Sequence, residues 1–177
     1  MVKRILAAAF LSLMSLNGCS KVDGADEQFS FSPSPNLIGS IFLKGYYYYY
    51  YAPADYYIIM FLYSNGVILY GAAVSTTDLL KTEDSYKNGT FHAMAVKDIS
   101  LWRIYKVEGD SIRIEARASD GTTPLIVGIY EGVILNDSTF TLLQSRRLDG
   151  RLIDKRNETY HFKSFSPKPD STNPFIK

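Results

Sequence analysis

Cysteine is nearly absent from this chain: Cys19 is the one example in 177 residues. No internal disulfide can form and no thiolate cluster can hold a metal, so a packed core must hold the fold unaided. Histidine is almost as scarce. His92 and His161 stand alone, outside any His-Glu-x-x-His or comparable spacing, which removes the usual zinc sites. No Gly-x-Ser-x-Gly elbow and no glycine-rich phosphate loop occurs. A dominant charge is missing too, with 19 basic against 18 acidic residues. Without a basic footprint, nucleic acid is not expected as a partner. No catalytic set is selected by any of these patterns, and the chain reads as a non-enzyme that needs no cofactor.

What is present begins with three zones in order: Lys3 and Arg4, an uncharged apolar run from Ile5 to Leu16, then Leu16-Asn17-Gly18-Cys19. A positive start, a short apolar stretch and small residues before a cut site form a secretory signal. The run of 12 residues falls short of the roughly 20 needed to cross a bilayer. Leu16-Asn17-Gly18-Cys19 resembles the lipobox of bacterial lipoproteins. That resemblance implies cleavage before Cys19, acylation of its thiol and new amine, and a membrane partner held through that lipid. Each buried methylene contributes about 0.8 kcal/mol, and two or more chains anchor stably. Ser20 in place of an aspartate leans toward the outer membrane of the cell envelope.

Four segments follow: a signal peptide over 1–18, a flexible tether over 19–36, a β-barrel domain over 37–163 and a C-terminal tail over 164–177. Both flanks are polar and broken by proline, as flexible segments are. Removal of 1–18 leaves 17 basic and 18 acidic residues. With 14 Tyr and 10 Phe but one Trp, the composition suits half-wet pleated surfaces. Short apolar runs separated by turn signals fill the domain. Ser64-Asn65-Gly66 lies between YYIIMFLY and VILYGAAV, a hairpin signature. Ile112, Ile114 and Ala116 alternate with Arg113, Glu115 and Arg117, which reads as a half-buried strand. Trp102 to Val107 shows a mixed pattern. Gly128 and Gly132 could bend the long run from Leu125 to Leu135. Residues 76–100 lack a two-residue period and read as a long, partly helical loop, with a helical turn through Leu79 and Leu80 and a second near Ala93 to Asp98. The count is about eight strands joined by tight turns, an all-β antiparallel meander closed into a barrel or folded as a sandwich.

The segment Leu101 to Glu115, a Trp strand, a Gly-Asp turn and an alternating strand, precedes Tyr130 to Phe140 (YEGVILNDSTF). Together they resemble the lipocalin-like, calycin-type barrel lipoproteins of Bacteroidetes. The resemblance implies a lipocalin-like barrel whose apolar interior binds a small hydrophobic molecule, with Ile112, Ile114, Phe140 and Phe162 as lining. Three Asp-Ser sequences, at Asp110, Asp137 and Asp170, resemble the O-glycosylation sites of the same bacteria. Tyr46 to Tyr51 places alternate rings inside and outside a strand. An outward stripe of Tyr46, Tyr48 and Tyr50 would be a contact surface for an envelope partner. The expected function is therefore a lipid-anchored binding module for an apolar small molecule or a partner protein. The alternative is a structural or inhibitory envelope protein with a solid core that docks through its tyrosines.

Overall fold

The computed structural model describes residues 27–34, 41–118 and 125–176. Eight strands run in sequence: β1 Gly45–Tyr51, β2 Tyr56–Leu62, β3 Val67–Ser75, β4 Trp102–Glu108, β5 Ser111–Ala118, β6 Ile126–Asn136, β7 Thr139–Arg147 and β8 Leu152–Ser164. Each pairs antiparallel with the next, and β8 returns to β1 from Gly45↔Ser164 to Tyr48↔His161, closing a lipocalin-like barrel. Closure leaves no row of unpaired backbone groups on an edge strand. It requires glycine at position 45, where a Cβ would lie 2.0 Å from the Lys163 carbonyl oxygen. The bend expected near Gly132 is a bulge between Glu131 and Gly132 against β7.

One end of the barrel carries the short turns 63–66, 109–110 and 137–138. Ile41 and Leu43 pack under the interior there, and the Phe42 N–H donates to the Asp137 carbonyl at 2.7 Å. This is the closed end. The first strand starts at Gly45, not at Leu37 where the apolar run begins. Of that run, residues 37–40 lie outside the described set. The opposite end carries the longer connections, including the 76–101 segment. That segment is more helical than its sequence implied: α1 covers Leu79–Lys87 and α2 covers Thr90–Ala95.

Two cores share the strands. Inside the barrel, Tyr47, Met60, Leu62, Ile68, Tyr105, Ile112, Ile114, Phe140, Leu142 and Tyr160 pack together with Ile41. Phe140 stacks on Tyr160 with centroids 5.0 Å apart. Outside, α1, α2 and the C-terminal segment cover β1 to β4, burying Tyr46, Phe61, Tyr86, Phe91, Trp102 and Phe165. This second core explains the mixed pattern of β4. Trp102 and Ile104 point outward, Tyr105 points inward, and all three are buried.

Both flanks dock. The segment after β8, expected to trail, holds on through buried Phe165, through Tyr63 donating to the Pro169 carbonyl at 2.6 Å, and through Lys168 Nζ. Lys168 donates to the carbonyls of Leu43 at 2.7 Å and Leu62 at 2.9 Å. Residues 27–34, assigned to the tether, lie along the outer face of β5 and β6. There Ser30 N–H and Oγ–H both donate to Glu115, at 2.7 and 2.5 Å. Glu115 and Arg117, which alternation places on a solvent face, are consequently buried.

Burial pushes the Lys168 amine down to about 8. An amine this low in the folded state makes the unfolded chain bind more protons between pH 8 and its ordinary 10.5, so stability rises with pH across that window. Burial raises the phenols of Tyr63, Tyr86 and Tyr105 above their ordinary 10.0. Their contribution is complete below pH 10 and is lost above it. Urea unfolding at a series of pH values is expected to show a shallow rise from pH 8 to 10. Above that, each of these three phenols should cost about 1.4 kcal/mol per pH unit.

Candidate functional site

Toward the end away from Ile41 the barrel interior changes character. Tyr49, Ile58 and Ala73 stand level with one another across β1, β2 and β3, and Ala73 is exposed, so solvent reaches the interior there. Arg103 faces inward because it pairs with Ile68 on one side and Ala116 on the other. Its guanidinium lies 4.0 Å from the centroid of the Tyr70 ring. On the far wall, the β7–β8 ladder shifts register between Leu142 and Gln144. Beside that shift Arg156 lies 5.0 Å from the Tyr130 ring centroid. Arg156 Nη1 donates to Glu158 Oε1 at 2.5 Å, and Tyr160 makes a long contact to Glu158 Oε2 at 3.4 Å. Tyr49 packs on Tyr160 at 5.7 Å.

Two guanidiniums and the Glu158 carboxylate set the charge of this mouth. Both arginines are half-buried, and the buried Nε of each has no hydrogen-bond partner in the structure. One carboxylate, Glu158, meets Arg156. Burial, opposed in part by Arg103, still raises the Tyr70 phenol, and burial raises those of Tyr49 and Tyr160 as well. At neutral pH these tyrosines are therefore uncharged O–H donors. A guanidinium offers a planar fork matched to carboxylate or phosphate, and tyrosine faces add flat apolar walls.

The residues singled out from sequence fall elsewhere. Ile112, Ile114 and Phe140 are buried in the inner core, and Phe162 packs partly buried against Tyr47 at 5.4 Å. All four belong to the core that fills the half of the barrel nearer the closed end. Of the outward tyrosines, Tyr46 is 1% exposed, covered by α1 and the C-terminal segment. Its hydroxyl donates to Glu83 at 2.5 Å, and Lys163 reaches the same carboxylate oxygen at 2.7 Å. Tyr48 is half-buried against Tyr57, and Tyr50 stays exposed with its hydroxyl on Asp55. A cavity of about 160 Å³ lies beside Tyr46, Tyr48, Tyr57 and Leu79, outside the barrel wall. His161 is exposed on the outer face near Tyr48, and His92 Nε2 lies 3.0 Å from the Thr172 carbonyl. Neither meets Glu158. Cys19 lies outside the described residues.

Arg103, Arg156 and Glu158 were missed in the sequence because charge on a strand normally marks the solvent side. The one available signal was the position of Arg103, two residues before the apolar Tyr105. No protein-family model, curated protein or solved structure matches the chain.

Removing the carboxylate that Arg156 and Tyr160 share leaves a half-buried cation without its partner. Glu158→Ala is expected to lower the unfolding free energy by about 2 kcal/mol, with Glu158→Gln losing less. Denaturant titration of the two variants measures the difference.

Proposed function

We propose that this chain is a lipid-anchored protein of the bacterial envelope, held at the membrane through Cys19, whose barrel mouth binds a small molecule with an anionic end and a flat apolar body. The observation that carries this reading is the pair of arginines, Arg103 and Arg156, held over tyrosine rings with buried, unpartnered Nε–H donors. A desolvated donor left without an acceptor costs about 1–3 kcal/mol, and an anionic ligand would recover that cost on binding. The packed lower half supplies a floor, so the ligand sits at the mouth and does not thread the barrel. The apolar-ligand expectation is thereby narrowed to an amphipathic, negatively charged one.

Two related dyes test the reading. 8-Anilinonaphthalene-1-sulfonate carries a sulfonate, and N-phenyl-1-naphthylamine has the same rings without it. The sulfonate should bind at least about tenfold more weakly to Arg103→Met and Arg156→Met than to the parent protein, a loss of about 1.4 kcal/mol or more. The neutral dye should be affected far less. Equal losses for both dyes, or none for either, would remove the anion from the proposal. Native mass spectrometry of protein taken gently from its host then identifies the resident ligand by a mass that leaves on denaturation.

A further inference from the structure

The N-terminal segment crosses the outside of the barrel in a fixed direction. Glu27 is pinned at the mouth end: its N–H donates to the Leu125 carbonyl at 3.0 Å, and its carboxylate accepts from Val127 N–H at 2.6 Å. Ser30 then caps Glu115, and Phe31 lies 5.4 Å from Lys106 Nζ and 6.0 Å from the Arg113 guanidinium. Pro33 and Ser34 press on Gly66 at the closed end, where a Cβ would come within 2.8 Å of Ser34 N. The strap therefore descends from mouth to floor, and the chain leading back to Cys19 leaves from the mouth rim.

Eight residue steps separate Cys19 from Glu27, and even a fully extended chain of that length spans only about 28 Å. Strand β6 has 11 residues, which at about 3.3 Å each and a tilt near 40° makes the barrel wall about 28 Å tall. A lipid on Cys19 reaches the mouth rim at any extension, but could bring the closed end to the bilayer only when pulled taut.

The rim is built for that contact. The ladder between β1 and β8 ends at Tyr48↔His161, so Tyr51 stands level with Glu158 and residues 152–157 project beyond the end of β1. At the tip of this projection Leu152 and Ile153 are 49% and 53% exposed, and Tyr50 and Tyr51 are exposed on the neighbouring rim. Residues 146–156 carry Arg146, Arg147, Arg151, Lys155 and Arg156 against Asp149 and Asp154; Arg146, Arg151 and Arg156 also meet Glu131, Asp149 and Glu158, and Asp55 accepts from Tyr50 on the neighbouring rim. Exposed aliphatic and tyrosine side chains framed by basic ones suit an anionic headgroup layer. The closed end also exposes Phe42 and Leu135, but its turns carry Asp110 and Asp137, and the cation beside Glu108, Lys106, is paired with it.

We propose that the barrel mouth faces the leaflet that holds the Cys19 lipid, with the β7–β8 hairpin tip, Tyr50 and Tyr51 seated among its headgroups. This rests on the lipid-anchor reading of Cys19. It makes the bilayer itself the source from which an anionic amphiphile would reach Arg103 and Arg156.

The test uses the full chain, produced in a bacterium that lipidates exported proteins and reconstituted into vesicles of phosphatidylethanolamine and phosphatidylglycerol. Because lipid occupies the one native thiol, Leu152→Cys and Ser64→Cys each give a unique labelling site, at the mouth and at the closed end. A nitrobenzoxadiazole label at position 152 should be quenched by headgroup spin-labelled lipid several-fold more strongly than one at position 64. Equal quenching at both sites, or stronger quenching at position 64, overturns the orientation. Vesicle flotation separates the two readings. If the parent protein fails to float, or Cys19→Ala floats equally well, the anchor falls and the orientation with it. If the parent floats and both labels report water, the orientation alone falls.

Discussion

Closure of β8 onto β1 is the constraint on which the remaining structure depends. It holds only because position 45 has no side chain to meet the Lys163 carbonyl, and because the bulge at Glu131 and Gly132 lets the wall curve. A closed barrel of eight strands encloses a space that side chains can just fill. Here Phe140, Tyr160, Tyr47 and their neighbours fill the half nearer Ile41. The other half is left to arginine and tyrosine, so closure also creates the mouth.

The barrel is small enough that its outer wall must be used as well. Along β1 to β4 the outward side chains are as apolar as the inward ones, and two helices with the C-terminal segment cover them. Along β5 the outward residues Arg113, Glu115 and Arg117 are charged, and the strap meets them with Ser30 and with the rings of Phe29 and Phe31. Glu115 is fully buried there, yet it accepts from Ser30 N–H, Ser30 Oγ and Arg113. Glu83 is likewise met by Tyr46 and Lys163. These buried carboxylates have their donors in place. Arg103 and Arg156 differ, since each keeps a buried Nε–H with no acceptor.

Local rules made the eight strands readable. Asn65-Gly66, Gly109-Asp110 and the alternation of Ile112 to Arg117 depend only on neighbours within a few residues, and the structure places turns and strands there. The hexatyrosine run was legible as a strand but not as a surface, because what covers Tyr46 comes from α1 and from Phe165, both distant in sequence. Arg103 and Glu158 were illegible for the same reason. Whether an inward charge lies in a packed core or at a wet mouth depends on how far along the barrel axis it sits, and register sets that height.

The sequence by itself determined the all-β class, the number and order of strands, and the helical interruption before Trp102, because periodicity and turn chemistry act over short distances. Tertiary structure alone decided that one wall is buried on both faces and that residues 27–34 and the segment after β8 pack against the barrel. It also decided that two arginines 53 positions apart stand over tyrosine rings at one end. Those outcomes depend on long-range pairing, where a shift of one residue would turn every side chain of a strand to the opposite face.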